Sequence, residues 1–578
     1  MNNFLNIKDT YAFSNISEKM RKVLTEQYVM ENETPEELFT RVVKYGSTYH
    51  NIYNQELSKR LASYIDRKWF LPATPILLNL GAIINNKLRG YPISCFLNEM
   101  QDDMDSINDT FGQNFKLSSG GGGIATSYNN IRPKGAIIRG NNVSTGVLPW
   151  MGMQNSAVNA VSQSRQRKGS TAAYLRFDHP EIEEFIGSFL LGTNSDPRLT
   201  FKDLFGGVTI TDKFFECLRA KKPWDLIDHK GNIVKSLDPH YLYGKLLSAR
   251  HERGFPYIIF IDTVNKNKPD IYKRMNIDVT TSNLCTEIVL NTTGKNTGVC
   301  CLSSLNIEFF DDWKDDKYFI SDVITFLDNV LEHFIENATH YHYKNAVKSA
   351  IHERSIGLGA MGYHSYLQKN MIAFEDAEEI NKKIFSHIKD ECDKTNDNLA
   401  DIRGACIYGQ MTGIKKRFTH VTAIAPTATL SILAETSPSI EPYNNNIYKE
   451  KTQNGTTTVK NPILVKKLES LGLNNNAIWS KIIFNKGSLN GISEIPEDVQ
   501  RVFKTAFEID QKAIIKQAGD RQKYIDQAQS LNIFVRSIME FSEFRSLHTF
   551  AWANNVKSLY YARSESVDPK KLLCQDCE

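Results

Sequence analysis

Hydrophobic residues near the start of the chain recur with a helical period. In Glu56-Leu57-Ser58-Lys59-Arg60-Leu61-Ala62-Ser63-Tyr64-Ile65 the apolar side chains share one face, and residues 1–70 read as a helical region. Leu71-Pro72-Ala73-Thr74-Pro75 then breaks any helix and turns the chain. Ile93-Ser94-Cys95-Phe96-Leu97 and Pro256-Tyr257-Ile258-Ile259-Phe260-Ile261 are short apolar runs that predict buried strands. Residues 102–117 predict a helix with acids in its first turn, and His179-Pro180-Glu181-Ile182 opens another. Residues 320–348 and 376–400 have the pattern of long amphipathic helices, and Arg354-Ser355-Ile356-Gly357-Leu358-Gly359-Ala360-Met361-Gly362 between them predicts a tightly packed turn. Residues 421–429 read as a strand running into a hydroxyl-rich turn, 444–461 as a surface hairpin or loop, and 556–562 as a strand. Strand and helix alternate over a length that predicts an α/β barrel or a doubly wound sheet. Residues 564–578 carry no periodicity and read as a mobile tail.

The chain has 578 residues, 41% hydrophobic and 23% charged, with a net charge of +3. That balance supports neither a nucleic-acid stripe nor a membrane surface. No apolar run is long enough to span a bilayer, and the N-terminus lacks a signal-peptide core, so a cytoplasmic protein is expected. Nine cysteines, at scattered spacing, do not form a secreted disulfide framework. Cys574 and Cys577 are the one C-x-x-C pair; without a second pair or histidines at ligand spacing, no metal site is expected.

The densest chemistry lies in Ser282-Asn283-Leu284-Cys285-Thr286-Glu287-Ile288. A thiol, an amide and a carboxylate alternate there, and in an extended or finger-like segment they would point the same way. Cys285 could do radical or nucleophilic work, Glu287 could take a proton, and Asn283 could hold a substrate. Taken alone, Cys285 is as readily a buried core thiol. Gly120-Gly121-Gly122-Gly123 would allow close backbone approach to a ligand, but it lacks the Lys-Ser/Thr of a P-loop. The basic loops 129–140 and 162–170 could hold phosphates or simply be solvated.

Together these stretches resemble the large, catalytic subunit of ribonucleotide reductase, from about Pro72 to the C-terminus and in that family's order. The resemblance implies a ten-stranded α/β barrel of two five-stranded halves over 71–563, with a finger loop at its centre. A helical region (1–70) would precede it and a redox tail (564–578) follow it. It implies that a thiyl radical on Cys285 removes the substrate's 3′-hydrogen, that Glu287 takes the 3′-hydroxyl proton, and that Asn283 binds the ribose. Cys95 and a second cysteine would supply electrons and end as a disulfide. The following Leu302-Ser303 register matches the family best if the second is Cys300, leaving Cys301 a bystander. Substrate-holding positions would be Thr74, Ser94, Cys95, Gly123, the finger residues Asn283, Leu284, Cys285, Thr286 and Glu287, and Pro426-Thr427-Ala428-Thr429-Leu430. Asp102, Asp103, Met104, Arg132 and Arg139 match effector-binding positions for dNTP or ATP, and Arg167 lies in the loop that relays effector identity.

Tyr560-Tyr561 match the radical path of the class that works with a separate radical-bearing small subunit, which would house the dimetal or radical cofactor. No cofactor is then expected in this chain. Cys574 and Cys577 match tail thiols re-reduced by thioredoxin or glutaredoxin, and a homodimer is expected. The 73 residues before Thr74 must also supply the helical lead-in, so no complete ATP-binding cone of the kind many relatives carry is expected. The alternatives are the cobalamin-dependent class, which needs no tyrosine pair, and a catalytically silent nucleotide-binding relative.

Overall fold

A computed structural model describes residues 10–84, 87–93, 95–161, 170–190, 199–201, 203–452 and 455–565. Ser94, Arg167, Cys574 and Cys577 lie outside the described residues.

Five parallel strands come first: β1 Cys95–Glu99, β2 Gly123–Ser127, β3 Thr171–Arg176, β4 Leu204–Ile210 and β5 Tyr257–Phe260. They neighbour one another in that order. All five are almost wholly buried, and their apolar residues sit at consecutive rather than alternate positions. Each parallel step needs a crossover. Helices Met104–Ser119, Leu148–Val161 and Ile182–Gly187 supply the first three, and Asp212–Ala220 with Pro239–Arg253 the fourth.

The second half starts with β6 Gly298–Asn306 and β7 Ile356–Met361, again parallel. β7 continues onto residues 421–424 through the parallel bridge of Leu358 with Thr422, and Ile424 bridges Gln529. The segment then runs into Ile533–Val535, parallel to Ala562–Ser564. Two antiparallel seams close the ring. β1 pairs with β6 at one, and β5 pairs with Ser558–Leu559 at the other. Two halves of five segments make the ten-stranded barrel.

Residues 354–362 are not a turn. Gly357 and Gly359 lie inside β7, where a Cβ on Gly357 would sit 2.3 Å from Leu302 Cδ2 and one on Gly359 would sit 2.6 Å from the Ala423 carbonyl, and Gly362 caps the next helix at positive φ. The missing side chains let neighbouring strands close in. The helix expected over 320–348 is two helices, Phe319–Asn337 and Lys344–Glu353, whereas 376–400 is one, Glu378–Arg403. The proline stretch ends one strand, Phe70–Pro72, and then starts a helix, Thr74–Asn79, with Pro75 in its first turn. Ile447–Thr452 and Gly455–Lys460 form the expected hairpin.

The N-terminal region supplies helices Glu18–Gln27, Pro35–Gly46 and Gln55–Asp66. One apolar core runs continuously from Phe13 through the barrel to Ala562, so this region is not a separate unit. A smaller core gathers Leu464, Trp479, Leu489 and Phe503 beside it. Among the described residues no helix is long and apolar enough to cross a membrane.

Candidate active site

Between helix Asp270–Met275 and β6 the chain enters the barrel as a finger whose tip is Asn283–Ile288. The tip is a tight turn, not an extended segment. The Asn283 amide donates to the Ile288 carbonyl, and the Thr286 amide donates to the Asn283 carbonyl. Thr286 sits at φ +71, a left-handed conformation that a β-branched residue adopts only at a cost of roughly 1–3 kcal/mol. The surrounding barrel holds it there. Tyr174 Oη donates to the Asn283 carbonyl at 2.7 Å, and the Ala528 amide donates to the Glu287 carbonyl at 2.9 Å. Ser530 Oγ lies 2.6 Å from the Cys285 carbonyl oxygen and 3.2 Å from Glu287 Oε2.

Asn283, Cys285 and Glu287 are all buried. Asn283 Nδ2 donates to Cys95 Sγ at 3.4 Å, and Cys95 Sγ faces Glu287 Oε1 at 3.9 Å. The Asn283 amide orientation is fixed because its Oδ1 accepts the Ile288 N–H. Burial raises the Glu287 carboxyl to about 7, against hydrogen bonds from Asn283, Ser530 and Cys95 that favour its ionised form. A carboxyl poised near neutrality can both take and return a proton.

Cys95 and Cys300 stand directly opposite each other across the β1–β6 seam. Both are reduced, with no disulfide between them. Alternation along β6 sends Cys301 to the other face. There the Asp328 carboxylate adds to burial in raising its thiol. Gln527 Nε2 donates to Cys300 Sγ at 3.3 Å.

At the other seam burial pushes the Tyr560 phenol well above its usual range, and the neighbouring Cys285 thiol adds to that shift. Tyr560 and Tyr561 have ring centroids 4.3 Å apart, and Tyr257 packs against both at 4.8 and 5.2 Å. The pair is held through its backbone. Arg250, fully buried, donates to the Tyr560 carbonyl, and Asn532 Oδ1 accepts the Tyr561 N–H. One thiol therefore neighbours an aromatic stack on one side, while Asn283 and Glu287 on the same finger reach a second thiol on the other.

A family model described as "Ribonucleotide reductase, barrel domain" matches residues 93–416 and 409–562. A Frog virus 3 protein, named as a ribonucleoside-diphosphate reductase large subunit, is 36% identical over 90% of this chain and 92% of its own length. The ribonucleoside-diphosphate reductase large subunit of Invertebrate iridescent virus 3 is 34% identical over 94% of this chain and 93% of its own. The solved class Id ribonucleotide reductase alpha subunit of Actinobacillus ureae superposes with a TM-score of 0.85 at 32% identity, covering 97% of this chain and 99% of that one. The chain belongs to the ribonucleotide reductase large-subunit family.

The other residues that the reductase resemblance singles out fall into two groups. On the barrel, Gly123 pairs with Cys95 across β1 and β2. Its neighbours Gly120–Gly122 end the preceding helix, and only Gly121 takes a positive φ. Thr74 begins its helix with its hydroxyl 3.1 Å from the Tyr28 phenol. Pro426 leads into Thr427, which caps helix Ala428–Ala434 from a left-handed conformation and accepts the Ser439 amide on its hydroxyl. Helix Glu18–Gln27 packs against that helix, so the N-terminal region borders these positions. Thr429 and Leu430 lie in its first turn.

Away from the finger, Asp102 and Arg132 form an ion pair at 2.5 Å. Asp103 caps helix Met104–Ser119, with Met104 exposed at its start. Arg132 also donates to the Ile137 carbonyl, at the base of the exposed hairpin Ile137–Arg139 and Asn142–Val143 that carries Arg139. Sequence reasoning missed Tyr174, Tyr257, Gln527 and Ser530. The available signal for the last two was a polar run, Asp526-Gln527-Ala528-Gln529-Ser530, at the edge of an apolar segment.

Proposed function

We propose that this chain reduces ribonucleoside diphosphates to 2′-deoxyribonucleoside diphosphates as the large subunit of a class I reductase. A thiyl radical on Cys285 takes the 3′-hydrogen atom of the substrate. Glu287 accepts the 3′-hydroxyl proton, and Asn283 holds the ribose. Cys95 and Cys300 then give two electrons and two protons. The 2′-hydroxyl leaves as water, the two sulfurs join, and the 3′-hydrogen returns from Cys285. Tyr560 and Tyr561 carry the oxidising equivalent inward from a small subunit that houses the radical-generating cofactor. Cys574 and Cys577 would return electrons from thioredoxin or glutaredoxin.

The observation that carries this reading is the position of Cys285, with the Tyr560 phenol beside it and Glu287 and Asn283 reaching Cys95. Thr74, Ser94, Gly123 and 426–430 would bind the diphosphate through hydroxyls and backbone amides. Asp102, Asp103, Met104, Arg132 and Arg139 would bind a dNTP or ATP effector in a homodimer, with Arg167 relaying its identity. The test is reconstitution with a radical-bearing small subunit, CDP and dithiothreitol. dCDP should form with the parent chain and not with Cys285→Ser, whose hydroxyl cannot yield the radical. Turnover driven by adenosylcobalamin without a small subunit would assign the chain to the other class.

A further inference from the structure

Gln527 is buried and makes three directed side-chain contacts. Its Oε1 accepts the Val289 N–H at 3.2 Å, just beyond the finger tip. Its Nε2 donates to the Ile356 carbonyl at 3.2 Å, on β7, and to Cys300 Sγ at 3.3 Å. A backbone donor on one end and a backbone acceptor on the other permit one amide orientation only. The group facing Cys300 is therefore an N–H and not a carbonyl. Its backbone is fixed too. The Gln527 N–H donates to the Thr422 carbonyl, and its own carbonyl accepts from buried Lys557 and from Gln522.

The two sulfurs of the proposed pair thus have unlike surroundings. Cys95 has the Asn283 amide but also the Glu287 carboxyl at 3.9 Å, which disfavours negative charge on that sulfur once ionised. Cys300 has the Gln527 N–H. Burial raises the Cys300 thiol well above its usual value, the Gln527 contact opposes that, and the charges on Cys95, Cys301 and Glu287 add to it. In thiol–disulfide exchange the sulfur that better carries negative charge is the better leaving group.

Resting on the reductase reading above, we propose that Gln527 makes Cys300 the departing sulfur when the Cys95–Cys300 disulfide is re-reduced, so that the reductant bonds to Cys95. A thiolate of a dithiol reductant attacks Cys95 Sγ. The S–S bond breaks, and its electron pair leaves on Cys300 as a thiolate under the Gln527 N–H. The second thiolate of the reductant then attacks its own sulfur in the mixed disulfide and releases Cys95. Both cysteines take up protons, and one dithiol has become one disulfide. Gln527 is then a further catalytic residue, acting at the reacting sulfur.

The experiment uses the full chain carrying Cys574→Ser and Cys577→Ser, so that tail thiols do not compete. The protein is oxidised with diamide, pulsed with 2-mercaptoethanol, acid-quenched, alkylated with N-ethylmaleimide and mapped by peptide mass spectrometry. Mercaptoethanol should be found on Cys95 and maleimide on Cys300, with about a tenfold preference over the reverse labelling. Gln527→Met, of similar length without the donor, should reduce roughly tenfold more slowly and even out the labelling. Preferential mercaptoethanol on Cys300 of the parent would overturn the proposal, and that measurement needs no further variant. A folded Gln527→Met with unchanged rate and labelling would do the same. Absence of any Cys95–Cys300 cross-linked peptide after oxidation would instead overturn the underlying reading together with the proposal.

Discussion

Ser530→Ala removes a hydroxyl that serves two acceptors with one proton. Ser530 Oγ reaches the Cys285 carbonyl at 2.6 Å and Glu287 Oε2 at 3.2 Å. A hydroxyl donates once, so it can satisfy only one of them at a time. While Glu287 is protonated, its own O–H can donate to Ser530, and the serine proton stays on the Cys285 carbonyl. Once Glu287 ionises, the carboxylate competes for that proton. A hydrogen bond to a charged acceptor contributes about 1.5–3 kcal/mol, and about 1.36 kcal/mol corresponds to one pKa unit. Sharing with the carbonyl puts the loss near the lower end. Glu287 should therefore rise from about 7 by roughly one unit in the variant. The proposed base works only when ionised, so the acidic limb of kcat/KM for CDP should move by about the same amount toward alkaline pH. The assay is the initial rate of dCDP formation from about pH 6 to 9, with saturating small subunit and dithiothreitol. An acidic limb that stays in place, whatever happens to the plateau, would refute the link from Ser530 through Glu287 to the chemistry.

Cys300→Ser should block disulfide formation with Cys95 and cut turnover by more than about a hundredfold, whereas Cys301→Ser should stay within a fewfold of the parent; single-turnover dCDP yield separates them. Tyr560→Phe should stop turnover without changing CDP or effector affinity. The double variant Cys574→Ser, Cys577→Ser should complete one turnover, fail with a thioredoxin-type reductant and recover in part with dithiothreitol, which the tyrosine variant should not. Gly357→Ala would place a Cβ 2.3 Å from Leu302 Cδ2 and 3.0 Å from Cys300 Sγ, and should lower stability in urea by about 1–3 kcal/mol. Glu353, buried and hydrogen-bonded by the Tyr272 phenol, is raised by burial from 4.5 to about 7. Its contribution to stability is full below the unfolded value and is lost as pH rises through about 7, an effect of roughly 3 kcal/mol. Glu353→Gln cannot ionise and should flatten the fall in urea midpoint between about pH 5 and 8.

The motif residues were legible because they lie close in sequence and keep the family's order: Asn283, Cys285 and Glu287 on one finger, Tyr560 beside Tyr561. Alternating strand and helix left a barrel or a doubly wound sheet open, and the family resemblance selected the barrel. What escaped was set by distance or by absent side chains. Ser530 is 245 positions from Cys285, and Gln527 is 227 from Cys300. No local pattern announces such contacts. β7 read as a turn because Gly357 and Gly359 carry no side chain to mark a strand period, and their smallness is what the packing there requires. The break after Asn337 has neither proline nor glycine to signal it; Ala338 simply leaves the helical conformation as C-cap. The finger tip escaped for a related reason, since Thr286 at positive φ is the last residue type that sequence would place there.

The seam where strand direction reverses has a mechanical consequence. Opposed residues of an antiparallel pair have Cα atoms about 4.5–5.5 Å apart, inside the span of roughly 4.4–6.8 Å that a disulfide bridges. Cys95 and Cys300 occupy such opposed positions. Joining them asks for rotation about two side-chain bonds and no sliding of strands, so the cylinder can keep its girth whether the pair is oxidised or reduced. The tyrosines follow the other seam, half the circumference away. Along the wall, strain from oxidation would have to cross five strands in either direction to reach them; the short mechanical route is the finger, whose Asn283 meets Cys95 and whose Cys285 lies beside Tyr560.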